Sequence, residues 1–192
     1  DLRMSRGLGD VYKRQVLQSE CAEKHTMTRQ AYLDIIYKKT ACLIGVSASA
    51  GAMAVGASQQ KVALMRRFGE AVGMAFQIQD DILDYTRTAH TGKPANNDLR
   101  EGKITLPLLA VLDKAPAERR TELLGRLACC HDDEESVEYL QRTVENEGGL
   151  TFAAEVMRSY IARAVEMLSE YEASDYRTAL ANLCAYIAER DR

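Results

Sequence analysis

The chain has 192 residues, a length that suits one domain with a sizeable core. Hydrophobic residues make up 46% of it and charged residues 28%, which is the ordinary mixture of a water-soluble protein. The formal net charge of −3 gives no electrostatic reason to expect a nucleic-acid partner. No apolar run reaches the ~18 residues that a bilayer-spanning helix needs, so we do not expect a transmembrane protein.

The cysteines indicate a reducing compartment. There are five of them, an odd number, and they show neither metal-ligand spacing nor a CxxC redox motif. We therefore expect free thiols in a cytoplasmic protein. The five are Cys21, Cys42, Cys129, Cys130 and Cys184.

Helical periodicity runs through nearly the whole chain, which has only three prolines and no clusters of β-branched residues typical of strands. The first predicted helix covers residues 29–55. Gly45 and Gly51 inside it indicate a close neighbour, because a helical glycine costs about 1 kcal/mol relative to alanine. The second predicted helix begins at its N-cap Ser58 and continues to residue 85. Two more glycines in it also allow close approach: Gly69 and Gly73.

A polar stretch at residues 86–101 is predicted to be the one clear loop. A short helix follows over residues 104–113, with Thr105 as its N-cap. Pro107 falls in the first turn of this helix, where a missing N–H group is harmless.

Four further helices complete a predicted all-α helical bundle. Their boundaries follow from capping and breaking residues. Pro116 begins the first, and Asp132 or Asp133 caps the second, which ends near residues 148–149. The last two helices cover residues 150–171 and 175–189, and Ser174 caps the final one.

Three carboxylates interrupt the apolar run near the end of the second helix: Asp80, Asp81 and Asp84. At ~100° per residue all three lie within one ~100° arc, and Gln77 shares that face. Like charges one turn apart destabilise a helix, so the arrangement needs a counter-charge. Mg²⁺ prefers oxygen ligands and usually links one or two carboxylates to substrate phosphates. The pattern indicates a Mg²⁺–diphosphate site on a helix wall, and a solvated acidic patch is the alternative.

The residues around this acidic motif form an ordered series. FQ-x-x-DD-x-x-D covers residues 76–84, GKP follows at residues 92–94, and DLREGK-x-TLPL covers residues 98–108. A Lys-Thr pair, Lys39 and Thr40, lies upstream. The series resembles the second aspartate-rich region of the trans-polyprenyl diphosphate synthases, over most of the chain. The resemblance implies a partial isoprenoid (polyprenyl) synthase fold.

The resemblance also implies that Mg²⁺ is the cofactor. By this likeness Asp80 binds the metal directly, and Asp81 and Asp84 act through water or orient the direct ligands. A polar helix end is the alternative for Asp84. Asp98 is expected to hold a metal-bound water or to position Lys103.

Five residues are expected to bind diphosphate as catalytic and substrate-binding groups. The Lys-Thr pair implies contact of Lys39 and Thr40 with an allylic diphosphate, and Gln77 is expected to bind diphosphate or metal-bound water. Lys93 and Lys103 could reach phosphate oxygens as point charges. The alternatives are solvated surface lysines and, for Gln77, a buried structural amide.

The family joins an allylic diphosphate to isopentenyl diphosphate, head to tail, to make longer trans-polyprenyl diphosphates. It implies a homodimer for the full-length parent. Family members carry a first aspartate-rich motif upstream of the Lys-Thr pair, and this sequence has no earlier DD-x-x-D. We therefore expect the chain to be an inactive fragment when alone. A non-catalytic partner subunit of a heteromeric prenyl synthase is the alternative, and a terpene cyclase fits DLREGK-x-TLPL less well.

Residues 1–15 and Asn96 depart from the family pattern. Residues 1–15 do not resemble it and are expected to be non-native, which leaves residues 16–192 as the C-terminal part of a polyprenyl synthase domain. Asn96 stands where relatives often have glycine, but asparagine tolerates positive φ, so the turn can survive. The basic end at residues 190–192 can approach the site in relatives, but a frayed tail is the expectation here.

Overall fold

A computed structural model describes residues 27–86 and 95–190 of the chain. These residues form helices joined by short turns and contain no strand, as the sequence predicts. In chain order the helices are α1 (Arg29–Ile36), a π-helical turn (Tyr37–Ala41), α2 (Cys42–Ala54), α3 (Gln59–Thr86), α4 (Asn97–Arg100), α5 (Leu106–Leu112), α6 (Ala117–Cys129), α7 (Glu134–Asn146), α8 (Gly149–Leu168) and α9 (Asp175–Glu189).

Helix α3 is the centre of the bundle. It has 28 residues and packs most extensively against α2 on one side and α8 on the other. Ser58 caps it as predicted, because its hydroxyl accepts a hydrogen bond from the Lys61 N–H at 3.3 Å. Ile78 and Tyr85 in its C-terminal half are almost completely buried, so the acidic motif lies on a helix that the core holds rigidly.

Close contact between α2 and α3 depends on glycines. A Cβ atom on Gly69 would lie 2.9 Å from the Gly45 Cα, and one on Gly73 would lie 2.5 Å from the Ala41 Cα. The prediction of a close neighbour is therefore confirmed at these glycines. It is wrong at Gly51, which is exposed and has open space around its Cα.

The first predicted helix is not one continuous α-helix. The π-helical turn between α1 and α2 contains both Lys39 and Thr40. Such turns insert one extra residue into a helix and are frequent at functional sites. Helical periodicity does not distinguish an α turn from a single π turn, which is why the sequence prediction missed it.

The predicted loop at residues 86–101 is partly helical. Thr86 ends α3, and α4 occupies Asn97–Arg100. Asn96 has a φ of 60°, so the prediction that asparagine supplies a positive-φ turn is confirmed. Its N–H donates to the Asp84 carbonyl at 2.8 Å, and its side-chain amide donates to Gln141 at 2.8 Å.

The later helices follow the sequence prediction closely. Asp133, rather than Asp132, caps α7 through both carboxylate oxygens, and Ser174 caps α9. Helix α9 has the predicted bounds, whereas α8 ends at Leu168. Thr105 occupies the N-cap position of α5 as predicted, although its hydroxyl makes no capping hydrogen bond.

Two predictions about the environment can be compared with the described residues. None of the helices there is long and apolar enough to cross a membrane. The cysteines within those residues are free thiols: Cys42, Cys129, Cys130 and Cys184. Cys21 and the segment 1–15 lie outside the described residues.

Candidate active site

The acidic end of α3 forms one wall of a cleft with a volume of about 290 Å³. Helix α1, the π-helical turn, α4 and the segment before α5 form the remaining walls. Most of the predicted site residues in the described chain line this cleft: Lys39, Gln77, Asp80, Asp81, Asp84, Asp98 and Lys103. Lys93 lies outside the described residues. The rest of the lining is mainly apolar, with Met27, Ile35, Ile36 and Ile104 among its members.

Asp81 is fixed by two protein donors. The Tyr32 hydroxyl donates to its Oδ2 at 2.6 Å, and the Gln77 amide donates to its Oδ1 at 3.2 Å. Burial raises the pKa of Asp81 to about 7, although the Tyr32 and Gln77 hydrogen bonds and the charge of Lys39 lower it. Since both carboxylate oxygens already have partners, Asp81 is suited to orient its neighbours.

Tyr32 is a site residue that the sequence prediction missed. It is 3% exposed, and burial followed by the charge of Asp81 raises its pKa well above the usual value, so the hydroxyl keeps its proton. Tyr32 lies seven residues, about two helical turns, before Lys39. That spacing is the signal that could have placed it in the same wall.

Thr40 reaches the cleft through Gln77. Its hydroxyl donates to the Gln77 Oε1 at 3.0 Å, and the same amide donates to Asp81. A hydrogen-bonded series therefore connects the π-helical turn to the acidic motif. Any displacement of this turn relative to α3 would change the position of the Gln77 amide.

Asp84, Asp98 and Lys103 form a second hydrogen-bonded group in the lining of the cleft. The Asp98 N–H donates to the Asp84 Oδ2 at 2.9 Å, and the Lys103 ammonium donates to the Asp98 Oδ1 at 3.2 Å. Burial lowers the pKa of Lys103, but Glu101 and Asp98 more than offset this, and its pKa is raised overall. Lys103 is therefore a permanent positive charge beside the acids.

Asp80 is ion-paired with Arg190, the residue after α9. The predicted frayed tail is therefore wrong at Arg190. Its side chain is 14% exposed, its guanidinium carbon lies 4.6 Å from the centre of the Phe76 ring, and its carbonyl accepts from the Gln79 amide at 2.6 Å. The contacts with Asp80 and Gln79 join residues 110 and 111 positions apart, so no local sequence pattern could have indicated them.

The acids do not form a complete metal cage by themselves. Within the described residues, no group of three or more acidic, histidine or cysteine side chains is close enough to hold a metal. Mg²⁺ is usually bound by one or two carboxylates together with water and substrate phosphates. The cleft fits that mode, because Asp80 is a partly exposed carboxylate and Lys39 and Lys103 supply positive charge for phosphate oxygens.

A family model described as "Polyprenyl synthetase" matches residues 3–145, and so extends into the segment 1–15. A short chain isoprenyl diphosphate synthase from Methanothermobacter thermautotrophicus is 35% identical, with 92% of this chain and 54% of that protein covered. The heptaprenyl diphosphate synthase component 2 of Bacillus subtilis is 33% identical, with coverages of 88% and 48%.

The structural comparison agrees with the sequence comparison. A crystal structure of polyprenyl synthase from Caulobacter crescentus CB15, complexed with calcium and isoprenyl diphosphate, matches with a TM-score of 0.86. It is 30% identical, and the match covers 98% of this chain and 58% of that one. The chain spans about half the length of these relatives. The all-α architecture is that of the isoprenoid synthases, and the chain belongs to the polyprenyl synthetase family.

Proposed function

We propose that the cleft binds the diphosphate group of an allylic substrate together with Mg²⁺. In this proposal the parent enzyme condenses that substrate with isopentenyl diphosphate, head to tail, to make longer trans-polyprenyl diphosphates. The observation that carries the proposal is the convergence of four acids and two lysines, from three separate chain segments, on one cleft. When bound, Mg²⁺ would neutralise the charge that develops on the departing diphosphate.

The chain's own residues have distinct roles in this proposal. Asp80 holds the cation, and Lys39 and Lys103 contact phosphate oxygens from two sides of the cleft. Tyr32 and Gln77 keep Asp81 in place, so that its carboxyl group stays at a fixed position. Lys93 is proposed as a further phosphate contact on the strength of the family motif.

The apolar part of the lining supports a reaction through an allylic carbocation. Such a cation reacts with water, so the side chains that surround it must exclude water. Tyr32 and Ile36 are each only 3% exposed, and Ile35 and Ile104 are 6% and 3% exposed. These buried side chains exclude water from the part of the cleft that lies beside the acids and lysines.

Pyrophosphate binding tests this proposal directly. We expect calorimetry to show Mg²⁺-dependent binding of pyrophosphate to the wild-type chain and at least tenfold weaker binding to D80N. Asp113 offers a matched control, because its side chain is 34% exposed, against 35% for Asp80, and it also pairs with an arginine. Equal binding by wild type, D80N and D113N would exclude Asp80 as the cation ligand.

We expect the 192-residue chain to make no polyprenyl product alone, since its sequence contains one aspartate-rich motif and not two. Incubation with labelled isopentenyl diphosphate, an allylic primer and Mg²⁺ tests this, and clear product formation contradicts it. We also propose a homodimeric, cytoplasmic parent. The free thiols within the described residues support the cytoplasm.

A second candidate function is a non-catalytic subunit of a heteromeric prenyl synthase. The Bacillus subtilis relative is named as component 2 of a synthase, and a synthase of more than one component is the setting that this candidate requires. Retention of Asp80, Asp81 and Asp84 with Lys39 argues for the catalytic role, because a subunit without substrate does not need them. A chain that fails to bind pyrophosphate with Mg²⁺ would favour the subunit.

A further inference from the structure

Arg190 is anchored at the cleft by three neighbouring residues of α3. Its guanidinium pairs with Asp80 and lies over Phe76, and its carbonyl accepts from the Gln79 amide. Gln79 is itself only 7% exposed, so this anchor is built into the bundle. Arg190, the residue after α9, therefore has a defined position at the edge of the proposed cation site.

The pairing involves the carboxylate that the cleft otherwise leaves most available. Asp81 has both oxygens bound by Tyr32 and Gln77, and Asp84 accepts from the Asp98 backbone. Asp80 is instead 35% exposed and has a positively charged side chain as its partner. A guanidinium and a divalent cation are both attracted to this carboxylate, and the presence of one disfavours the other.

The docked position of Arg190 also includes an unfavourable feature, a buried hydrogen-bond donor without an acceptor in the described part of the chain. Its Nε atom is buried and has no hydrogen-bond partner among the described residues. A buried donor without a partner destabilises the arrangement that contains it. Docking is therefore held mainly by the Asp80 charge and the Phe76 ring, and neutralising Asp80 would release it.

We propose that Arg190 is an internal competitor of the divalent cation at Asp80. With no cation present, Arg190 neutralises Asp80 and closes the edge of the cleft. Binding of a divalent cation with diphosphate displaces the guanidinium and frees the C-terminal end. This inference depends on the proposed function, since it assumes that Asp80 is a cation ligand.

Mn²⁺ binding in the presence of pyrophosphate, followed by electron paramagnetic resonance, tests the competition. We expect R190Q to bind Mn²⁺ roughly five- to tenfold more tightly than wild type, because a partly exposed ion pair no longer opposes the metal. R163Q is the control: the exposed Arg163 has its guanidinium over the Tyr160 ring, and its loss changes the net charge equally. It should bind like wild type.

The outcomes separate this inference from the proposed function. Equal or weaker binding by R190Q, with clear binding by wild type, overturns the competition and leaves the cation site standing. Tighter binding by both R190Q and R163Q makes the effect one of net charge and also overturns it. Absence of Mn²⁺ binding in all three proteins overturns the proposed function and the competition together.

A second measurement needs no change at Arg190. Trypsin cleaves after arginine only when the side chain can enter the protease, so release of the dipeptide Asp191–Arg192 reports undocked Arg190. We expect Mn²⁺ with pyrophosphate to accelerate this release several-fold in wild type. In D80N, release should be fast without Mn²⁺. A release rate that neither Mn²⁺ nor D80N changes would contradict the competition.

Discussion

The contact of Gly73 in α3 with the π-helical turn gives a sharp test of how the site is positioned. A Cβ atom added at Gly73 would lie 2.5 Å from the Ala41 Cα and 3.2 Å from its N, and these backbone atoms cannot rotate away. Overpacking of this kind costs about 1–3 kcal/mol or more, while alanine recovers about 1 kcal/mol of helix propensity. Because the clash is with backbone atoms, the upper end of that range applies, and G73A should lose about 2 kcal/mol of unfolding free energy or more.

Gly51 supplies the matched control. It lies in the interior of α2 with open space around it, so G51A has no clash and should gain up to about 1 kcal/mol. In thermal unfolding, the Tm of G51A should be roughly 2–4 °C above that of wild type. The Tm of G73A should be lower than that of wild type by at least a similar amount. Pyrophosphate binding should weaken only in G73A, because moving Ala41 also moves Thr40. Equal Tm values for G51A and G73A would refute the close-packing argument.

Three further predictions concern Asn96 and Asp81. N96A should lose about 2 kcal/mol of unfolding free energy in urea, from the positive φ and the lost Gln141 hydrogen bond, whereas N96G should lose under about 1 kcal/mol. Y32F should lose about 1–3 kcal/mol, since it removes the donor to a buried carboxylate. Burial raises the pKa of Asp81 to about 7 in the folded state, so the folded state holds the proton that the unfolded state loses near pH 4. Stability should therefore fall as pH rises between these values. From pH 5 to pH 8 wild type should lose about 3 kcal/mol more than D81N in urea unfolding. Equal losses of unfolding free energy in N96A and N96G would contradict the first prediction, and an unchanged unfolding free energy in Y32F would contradict the second. Parallel pH profiles of stability for wild type and D81N would contradict the third.

Local patterns were sufficient to predict most of the helices. The caps at Asp133 and Ser174 and the positive φ at Asn96 depend on side chains near in sequence, and the structure has them. The π-helical turn was not predictable in this way, because it differs from an α turn only in backbone geometry. The N-cap position of Thr105 was predictable in the same way as the caps, although its hydroxyl makes no capping hydrogen bond.

The same distinction applies to the candidate site. Asp80, Asp81 and Asp84 share a cleft because helical spacing places them on one face. Tyr32 and Arg190 meet them across 49 and 110 positions, and only the folded bundle brings such residues together. Helical spacing therefore indicated the three acids of α3, and the family resemblance indicated Lys39, Lys103 and Asp98. Neither indicated that Tyr32 holds Asp81 or that Arg190 neutralises Asp80.

The central claim is that the α3 acids and the two lysines hold a divalent cation and a diphosphate in one cleft. A crystal structure of the chain grown with Mn²⁺ and pyrophosphate, with anomalous data collected at the manganese edge, tests it most directly. We predict an anomalous peak within coordination distance of Asp80, with pyrophosphate between that peak and the ammonium groups of Lys39 and Lys103. Manganese bound only outside this cleft, with Asp80 still paired to Arg190, would contradict the claim.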